Sequence, residues 1–578
     1  MQNLTLRIGG EGGEGVISCG EILTSAAASA GYHIFTFRTY PAEIRGGLAM
    51  FQLRVGDEPV LSAGDKLDLF VAFNQEAIDN YLPEVLPGGI VLYDPAQCRD
   101  LAPLGRRKRY EAPLNDICRR VTDATRAKNI VAVGVLAWLL GMPDDVVGQR
   151  VRKQFAKKGE TVVSNNMLAL NAGYAFARDE LKSKPLAAPP ARKTVKPAPE
   201  RLILSGNEAA ALGALAAGVR FCAGYPITPA TPIFETLARQ LPRFNGHLIQ
   251  CEDEIAAIGA CLGASYAGQK ALTTTSGPGM ALMGEFISLA AMAELPVLII
   301  DVQRSGPSTG MPTKTEQGDL NFAVYGTPGD APRVVLAPAT VEECFDLTVL
   351  AVNIAERYQT PVILLSDASL AYRTETTRRF DLESVEIWPR QEWDPQTGEA
   401  FQRYAFTKTG VSPITTPGTE HGYYQATGLE HDEYGHPSYT PHYHEEMLRK
   451  RHQKLAKLEQ ELAQIAYVQS RPSKAKFGVV SWGSTRGAAA EAIRMAAGDG
   501  IPIAHFHPRL LHPLPKAALR GFLKKMEKVV VIEENFSGQL ANMLRGEFSM
   551  ECASLTKYQG IPFMPQEIYK ALRQMAKR

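Results

Sequence analysis

Glu254 is the carboxylate whose sequence surroundings most favour chemistry. It closes the acidic triplet of the stretch QCEDEIAAIGACLGASYAG, and the residues from Ile255 to Gly259 that follow it are all apolar or small. A carboxylate at such an edge is partly removed from water and can share a proton with a bound group. Acidic residues also stabilise helix N-termini with no further role, so this stretch alone leaves both interpretations open.

Two loops, each following an apolar strand, are rich in hydroxyl groups, glycine and proline. They are TTTSGPGMALMGE (273–285) and QRSGPSTGMPTKTEQGD (303–319), and the second carries Arg304, Thr313 and Lys314. This set suits a carboxylated substrate, because a guanidinium binds a carboxylate through two hydrogen bonds. Loops at the carboxyl ends of parallel strands are where open α/β sheets bind ligands. Ordinary surface turns remain the alternative for either loop.

The stretch FCAGYPITPATP (221–232) predicts a stiff turn after a buried strand. Its prolines at 226, 229 and 232 exclude a regular helix and a central strand, and Thr228 lies between the first two. Proline content alone supports no further statement about this turn.

A glycine loop near the start of the chain has the spacing of a dinucleotide site. Gly10, Gly12 and Gly15 form G-x-G-x-x-G after a strand and before a helix. However, Glu11 and Glu14 place negative charge where a pyrophosphate would bind, and no acidic residue ends the next strand to hold a ribose. The loop therefore favours a tight turn that packs a helix on a sheet, with an anion or partner contact as the alternative. An NAD-dependent dehydrogenase is correspondingly disfavoured.

Three further stretches are less specific. YPAEIRGG places Arg45 before Gly46 and Gly47, which is typical of a structural turn or of a close contact at an interface. GDG at 498–500 has no asparagine at the spacing of a diphosphate–Mg²⁺ motif and predicts a helix-ending turn. A histidine-rich segment matches no familiar metal-ligand spacing and favours a solvated or interface loop; its histidines are His421, His431, His436, His442 and His444.

The order of apolar strands and helical stretches predicts an α/β protein with three units and mainly parallel sheets. Strands such as LDLFVAF, PVLIIDVQ and KVVVIEEN are mainly apolar runs, as expected for strands buried on both faces. A Pro/Ala/Lys-rich stretch reads as a linker, and a later turn-rich segment ends in a predicted long helix. The predicted boundaries are 1–181 and 201–384 for the first two units, 182–200 for the linker, 385–474 for the irregular segment with the long helix, and 475–578 for the third unit.

Composition and charge exclude several classes of protein. The 578 residues include 62 Lys plus Arg against 61 Asp plus Glu, so no overall basic field favours nucleic acid or an anionic membrane surface. The apolar runs are too short or too interrupted to span a bilayer, and the start of the chain lacks the pattern of a signal peptide. The eight cysteines are scattered without a C-x-x-C pair, which predicts reduced, mostly buried thiols in a cytoplasmic protein.

Taken in order, the motifs resemble those of a known family. SGNEAAALGALAAG, GYPITPATP, CEDEIAAIGA, TTTSGPG, RSGPSTGMPTKTEQGD and YQTPVILLSD together look like the alpha subunit of 2-oxoacid:ferredoxin oxidoreductases. GGEGGEGV with YPAEIRGG resembles the gamma domain that is fused ahead of it in one form of the family, where Gln is common in place of Glu14. FGVVSWGSTRG with VVVIEENFSGQLANMLR resembles the transketolase-C-like third domain. The resemblance covers essentially everything except the linker.

The resemblance implies a chemistry for the candidate residues. Such enzymes use thiamine diphosphate to decarboxylate a 2-oxoacid, pass electrons singly to ferredoxin and release an acyl-CoA. This chain would supply the pyrimidine-binding half of the cofactor site, with Tyr225, Pro226 and Ile227 beside the cofactor. Glu254 aligns with the activating glutamate, which hydrogen-bonds the pyrimidine ring. Its role is to let the ring's amino group, as the imino tautomer, take the proton from the thiazolium carbon.

The resemblance also implies the substrate-binding residues. Thr228 matches a residue over the reacting centre, and Arg304 with Thr313 matches residues that bind the oxoacid, with Lys314 beside them. For coenzyme A, the expected contact is either the GSTRG segment or the surface of the gamma domain; a glycine-rich turn before a helix suggests Ser484, Thr485 and Arg486.

The missing half of the site is expected from a second chain. Without a cluster motif or a GDG…N motif here, the Mg²⁺-diphosphate site and a [4Fe-4S] cluster are expected on a beta subunit, in an (alpha-beta)₂ assembly. The fused layout favours 2-oxoglutarate as the substrate, ahead of pyruvate or branched-chain 2-oxoacids. A non-catalytic scaffold that binds coenzyme A or a nucleotide is the alternative from another class of protein.

Overall fold

The computed structural model describes residues 3–40, 46–100, 105, 107–122, 124–181, 201–398 and 400–577. The predicted linker at 182–200 and Arg45 lie outside the described residues. The contacts divide the chain into two compact units. The first comprises residues 1–204, 373–379 and 564–566, and the second comprises residues 205–372, 380–563 and 567–578.

The strands of the described residues are β1 (Asn3–Glu11), β2 (His33–Thr39), β3 (Leu48–Gly56), β4 (Leu67–Ala72), β5 (Val85–Tyr93), β6 (Lys108–Glu111), β7 (Arg201–Ser205), β8 (Phe221–Gly224), β9 (His247–Gln250), β10 (Ala271–Thr275), β11 (Val297–Gln303), β12 (Val334–Leu336), β13 (Pro361–Asp367), β14 (Thr374–Arg378), β15 (Tyr467–Ser470), β16 (Phe477–Ser481), β17 (Ile503–Pro508), β18 (Leu510–His512), β19 (Lys528–Glu533) and β20 (Ala553–Thr556).

The α-helices of the same residues are α1 (Val16–Ser29), α2 (Gln75–Tyr81), α3 (Leu114–Thr122), α4 (Lys128–Leu139), α5 (Asp144–Phe155), α6 (Glu160–Ala175), α7 (Gly206–Ala216), α8 (Thr231–Gln240), α9 (Glu254–Tyr266), α10 (Gly277–Leu282), α11 (Gly284–Met292), α12 (Leu320–Tyr325), α13 (Val341–Tyr358), α14 (Ala368–Tyr372), α15 (Pro441–Gln453), α16 (Leu458–Glu461), α17 (Arg486–Gly498), α18 (Lys516–Leu523), α19 (Gln539–Phe548) and α20 (Pro565–Lys577).

The first unit is built on an eight-stranded mixed sheet in the order β6-β5-β4-β1-β3-β2-β14-β7. Strands β1, β4, β5 and β6 are parallel, as the apolar runs predict, but β3 pairs antiparallel with both β1 and β2. The connection from β2 to β3 is too short for the crossover that a parallel pair needs, so these two strands run antiparallel. The sheet is therefore less uniformly parallel than the sequence suggested.

The second unit contains a seven-stranded sheet in the order β18-β12-β13-β11-β10-β8-β9. All of its strand pairs are parallel except the pair of β12 and β18. Every residue of β10, β11 and β13 is buried, which explains why these strands consist mainly of apolar and hydroxyl-bearing residues. Because β8, β10 and β11 run parallel, the polar loops that follow these strands lie at the same edge of this sheet.

The same unit holds a five-stranded sheet in the order β15-β17-β16-β19-β20, here called the third sheet. Its pairs are parallel except for β15 with β17. Helix α17 ends at Gly498, and Gly500 has a φ of 78°, so the GDG stretch is the helix-ending turn that was predicted. The α/β class with several mainly parallel sheets is confirmed.

The predicted long helix before the third sheet is wrong. Helix α15 ends at Gln453, a short α16 follows, and the YV of the predicted helix belongs to β15. The predicted charged face is not solvated either, because Lys450 and Lys454, one turn apart and so on the same side, both ion-pair with the wholly buried Glu294. Leaving that buried carboxylate unpaired would cost several kcal/mol.

The cysteines are mostly buried, as their scattered positions predict. All eight cysteines are free thiols; seven are buried and Cys251 is half-buried. Within the described part of the chain, none of the helices combines the length and apolar character needed to cross a membrane.

Candidate active site

The turn after β8 and the arginine after β11 are joined directly. The Arg304 guanidinium donates from Nη1 to the backbone carbonyl of Thr228 over 2.8 Å, and Arg304 is only 7% exposed. On the other side, Asn207 donates to the carbonyl of Pro229 over 3.0 Å. These bonds, together with the prolines, hold the Thr228 turn and the Arg304 side chain in a common geometry. Tyr225, on the same turn, is 42% exposed.

Glu254 lies at the first turn of α9 and is nearly buried, at 6% exposure. Asp253 caps this helix by accepting the N–H of Ala256 over 2.7 Å, so the capping task does not fall to Glu254. The Glu254 carboxyl packs against Gly279 and Thr275. A Cβ on Gly279 would lie 2.4 Å from Glu254 Oε1 and 2.2 Å from Thr275 Oγ1. The absence of a side chain at 279 thus makes room for the carboxylate at this edge of the sheet.

The electrostatic environment links Arg304 to three acids. Burial lowers the pKa of the Arg304 guanidinium, and the nearby charges of Asp319, Asp301 and Glu254 act in the opposite direction. The guanidinium is therefore a partly desolvated cation held among carboxyl groups. Such a cation attracts a carboxylate strongly, because little water competes for it.

Asp301 and Asp319 are functional candidates that the sequence reasoning missed. Asp301 is wholly buried within β11, and neither of its carboxyl oxygens has a hydrogen-bond partner in the described chain. Burial and the neighbouring Asp319 raise the pKa of Asp301 well above its ordinary value. Burial also raises the pKa of Asp319 to about 7, opposed by Arg304. The sequence signal for Asp301 was an acidic residue inside the otherwise mainly apolar stretch PVLIIDVQ.

Replacing Asp319 by asparagine is expected to flatten the pH dependence of stability. Because the Asp319 pKa is about 7 in the fold and 3.8 is its ordinary value, the folded state retains a proton that the unfolded state has lost. Stability therefore falls as pH rises from about 4 to about 7, by at most about 1.4 kcal/mol per pH unit for one proton. Urea unfolding across this range measures the slope. An identical slope in wild type and Asp319→Asn would contradict the raised pKa.

Several buried polar atoms at this edge have no partner within the described chain. They include Ser276 Oγ, Arg304 Nε and Asp319 Oδ2. Buried polar groups are normally hydrogen-bonded, so a group of orphaned atoms beside a strand-end cleft is typical of a site completed by a ligand or by another chain.

The loop that carries Thr313 and Lys314 folds back onto Arg304. The N–H of Ser305 donates to the carbonyl of Lys314 over 3.0 Å, and the N–H of Lys314 donates to the carbonyl of Met311 over 3.0 Å. The structure therefore brings the turn of Thr228, the side chain of Arg304 and the backbone of Lys314 into one neighbourhood.

The turn suggested for coenzyme A lies at the end of β16 in the third sheet. Thr485 donates its hydroxyl to the carbonyl of Trp482 over 2.7 Å, and Arg486 donates to the carboxylate of Glu343 over 2.6 Å. Ser484 Oγ is buried and has no partner in the described residues. Arg486 is thus already ion-paired, and Ser484 is the member of this set whose hydrogen-bonding capacity is unused.

The glycine loop in the first unit is a packed turn. Gly15 has a φ of 83°, and a Cβ there would lie 2.5 Å from Asn129. Glu14 accepts the N–H of Glu11 over 2.7 Å and ion-pairs with Lys128 over 2.6 Å. The acidic loop is thus tied down by its own chain, beside a cleft of about 350 Å³.

The histidine-rich segment divides into buried and exposed parts. His431 is buried, whereas His444 is exposed and contacts Glu430 over 2.7 Å. In the ranges that the structure describes, no three His, Cys, Asp or Glu side chains are grouped so that they could hold a metal ion.

Comparison with known protein families gives three matches along the chain. Residues 212–450 match "Pyruvate flavodoxin/ferredoxin oxidoreductase, thiamine diP-bdg". Residues 5–176 match "Pyruvate ferredoxin/flavodoxin oxidoreductase", and residues 475–567 match "Pyruvate:ferredoxin oxidoreductase core domain II". The class defined by the fold and by these matches is that of the thiamine diphosphate-dependent oxidoreductases that transfer electrons to ferredoxin or flavodoxin.

Individual relatives match over the whole length. The 2-oxoglutarate oxidoreductase subunit KorA of Mycobacterium tuberculosis is 37% identical, over 99% of this chain and 91% of its own length. Subunit alpha of 2-oxoacid:ferredoxin oxidoreductase 2 of Aeropyrum pernix is 31% identical, over 100% of this chain and 98% of its own. The solved 2-oxoglutarate:ferredoxin oxidoreductase of Magnetococcus marinus, with 2-oxoglutarate, coenzyme A and succinyl-CoA bound, superposes with a TM-score of 0.93 at 40% identity. The superposition covers 100% of this chain and 100% of the Magnetococcus marinus chain.

The chain belongs to the 2-oxoacid:ferredoxin oxidoreductase family, as an alpha subunit with a fused gamma domain. It is accordingly one subunit of a multi-subunit oxidoreductase.

Proposed function

We propose that this chain is the alpha subunit of a 2-oxoglutarate:ferredoxin oxidoreductase. The reaction joins 2-oxoglutarate and coenzyme A to give succinyl-CoA and CO₂, and two electrons leave singly to two oxidised ferredoxins. The observation that carries the proposal is that the nearly buried Glu254 and the partly desolvated Arg304 lie at one sheet edge, where the charge of Glu254 acts on Arg304. One group can handle a proton, and the other can bind a carboxylate.

The donor set of this edge fits the pyrimidine half of thiamine diphosphate. Glu254 supplies a carboxylate, the turn of Tyr225, Pro226 and Ile227 supplies an apolar wall, and Ser276 supplies an orphaned hydroxyl. When bound, the cofactor provides the carbon nucleophile that such a decarboxylation needs. The task of Glu254 is to hold a proton at the pyrimidine ring, and the buried position of its carboxyl keeps water from competing for that proton.

Arg304 is assigned to the carboxylate of the oxoacid, with the Thr228 hydroxyl directed at the reacting carbonyl. The hydrogen bond from Arg304 to the Thr228 backbone supports this assignment, because it fixes the position of the Arg304 side chain relative to Thr228. The bond uses the Thr228 carbonyl and not the Thr228 hydroxyl. Thr313 and Lys314 are assigned to the rest of the substrate. A dicarboxylic oxoacid has a second carboxylate, and the Lys314 ammonium is a suitable partner for it.

Replacing Arg304 by lysine is expected to raise the KM for the oxoacid about tenfold and to change kcat less. The charge remains, but the planar fork that binds a carboxylate through two bonds is lost, together with the contact to Thr228. Steady-state kinetics of the assembled enzyme measures the split, with the exposed Arg243→Lys as a control that keeps wild-type constants. A KM that stays the same in Arg304→Lys would remove this residue from substrate binding.

The other half of the site is assigned to a beta subunit that holds Mg²⁺, the diphosphate and a [4Fe-4S] cluster, in an (alpha-beta)₂ assembly. The orphaned polar atoms at the sheet edge support a site that is closed by a second chain. Within this chain we propose a gamma domain at 1–181, a pyrimidine-binding domain at 201–384 and a transketolase-C-like domain at 475–578. Coenzyme A is assigned to Ser484, Thr485 and Arg486, and the free thiols suit a cytoplasmic location.

The substrate assignment rests on the relatives from Mycobacterium tuberculosis and Magnetococcus marinus, whose names specify 2-oxoglutarate. A substrate panel tests it. The co-expressed alpha and beta chains are assayed for coenzyme A-dependent reduction of a low-potential dye with 2-oxoglutarate, pyruvate and branched-chain 2-oxoacids. We expect the highest kcat/KM with 2-oxoglutarate. A preference for pyruvate would overturn the substrate, and no activity with any oxoacid from a cluster-loaded complex would overturn the function.

A further inference from the structure

The side chain of Gln317 joins the loop that carries Thr313 and Lys314 to residues at the ends of β16 and β19 in the third sheet. This glutamine is wholly buried. Its Nε2 donates to the carbonyl of Trp482 over 3.0 Å, and its Oε1 accepts the N–H of Glu534 over 3.0 Å. The donor and the acceptor of the amide are therefore both used on the third sheet.

The backbone of Gln317 is engaged by the same sheet. Its N–H donates to the carbonyl of Glu534, and its carbonyl accepts the side-chain amide of Asn535 over 3.1 Å. The contact at the end of β16 is close, since a Cβ on Gly483 would lie 2.5 Å from Gln317 Nε2, and Gly483 has a φ of 56°. A side chain at 483 would displace the glutamine amide, so this glycine suits the contact.

The neighbours of Gln317 reinforce the attachment. Thr315 donates its N–H to the carbonyl of Gly560 over 3.3 Å, and Gln539 donates to the carbonyl of Gly318 over 2.6 Å. At its other end the loop is bonded to Ser305, next to Arg304. The loop therefore has two anchors, one at the arginine after β11 and one on the ends of β16 and β19.

We propose that Gln317 is a positioning residue for oxoacid binding, holding the 313–319 loop in the register in which Thr313 and Lys314 meet the substrate. The proposal rests on the function proposed above for this loop. Gln317 is wholly buried and both ends of its amide are bonded within the chain, so its role is positioning rather than catalytic. Its hydrogen bonds fix the substrate-binding loop against the turn that begins at Trp482 and against residues 534–535.

The variant Gln317→Met tests the proposal, because methionine keeps the length and volume of glutamine but neither donates nor accepts these bonds. In the assembled enzyme we expect the KM for 2-oxoglutarate to rise about tenfold while kcat changes less than about threefold. In hydrogen exchange, amides in residues 305–319 are expected to exchange at least about tenfold faster than in wild type.

A matched control is available in Gln359→Met. Gln359 is also wholly buried in the same unit, and its amide bonds to Ser412 and Arg403 rather than to the third sheet. This variant is expected to lower the Tm while leaving the oxoacid KM and the exchange of residues 305–319 unchanged. If Gln317→Met behaves like this control, Gln317 is only structural and the proposal is overturned.

Two further outcomes keep the test decisive. If Gln317→Met does not fold, Gln317→Asn replaces it, because its amide is one methylene too short to reach both Trp482 and Glu534, and a wild-type KM in it overturns the proposal. If the wild-type complex shows no oxoacid activity, the proposed function fails by itself. Hydrogen exchange of the single chain then decides whether Gln317 holds the loop, and unchanged exchange in Gln317→Met overturns that as well.

Discussion

Replacing Glu254 by alanine is expected to lower kcat of the assembled enzyme by about 10²- to 10⁴-fold, the range for loss of a positioned proton-transfer group. The reason lies in the position of the carboxyl, which is nearly buried beside Thr275 and Gly279. The measurement is dye reduction under saturating 2-oxoglutarate, coenzyme A and thiamine diphosphate.

The neighbouring acid Glu252 provides the control for this prediction. Glu252 is exposed and lies two residues before Glu254, so Glu252→Ala removes a similar charge without opening the buried site. We expect its kcat to stay within about twofold of wild type, as for a surface substitution. Size-exclusion chromatography establishes that both variants assemble with the beta chain. Wild-type turnover in Glu254→Ala would exclude Glu254 from the mechanism.

Adding one methyl group at Gly279 is expected to be almost as damaging. The Cβ of Gly279→Ala would lie 2.4 Å from Glu254 Oε1 and 2.2 Å from Thr275 Oγ1, distances at which neighbouring atoms must move. A displacement of about 1 Å in a catalytic group can cost about 10²-fold in rate, so we expect a loss in kcat of that order. Overpacking also lowers the unfolding free energy, by about 1–3 kcal/mol.

The matched control for the methyl group is Gly263→Ala in helix α9. A Cβ at Gly263 meets no atom within 4 Å, and the residue lies in the same helix as Glu254. Alanine there is expected to stabilise the helix by about 0.5–1 kcal/mol and to leave kcat unchanged. Equal kinetics in the Gly263→Ala and Gly279→Ala variants would show that the Glu254 carboxyl is not confined as described.

The ends of buried strands are the part of the candidate site that can be read from the sequence. Thr228 and Arg304 each follow a mainly apolar strand, and parallel strands place their carboxyl ends at one edge of the sheet. The adjacency of these two residues could not be read in the same way. It depends on a hydrogen bond between a side chain and a backbone carbonyl that are 76 positions apart in the sequence.

Other features depend on tertiary contacts that periodicity does not encode. The acids Asp301 and Asp319 looked like isolated polar residues, and only the fold shows that they share an environment with Arg304. The charged face of the predicted long helix is not solvated, because Lys450 and Lys454 pair with the buried Glu294, a contact between distant segments. In the eight-stranded sheet of the first unit, β2 and β3 pair antiparallel because the connection between them is short, and strand composition does not show this.

The central claim is that this chain supplies half of an oxoacid-cleaving site and that a beta chain supplies the other half. The most direct measurement is reconstitution, in which each chain is purified alone and then mixed with thiamine diphosphate, Mg²⁺ and coenzyme A. Dye reduction by 2-oxoglutarate is followed throughout. We predict no turnover from either chain alone and full turnover on mixing, which is lost when thiamine diphosphate is omitted. Turnover by this chain alone, or turnover without the cofactor, would contradict the account.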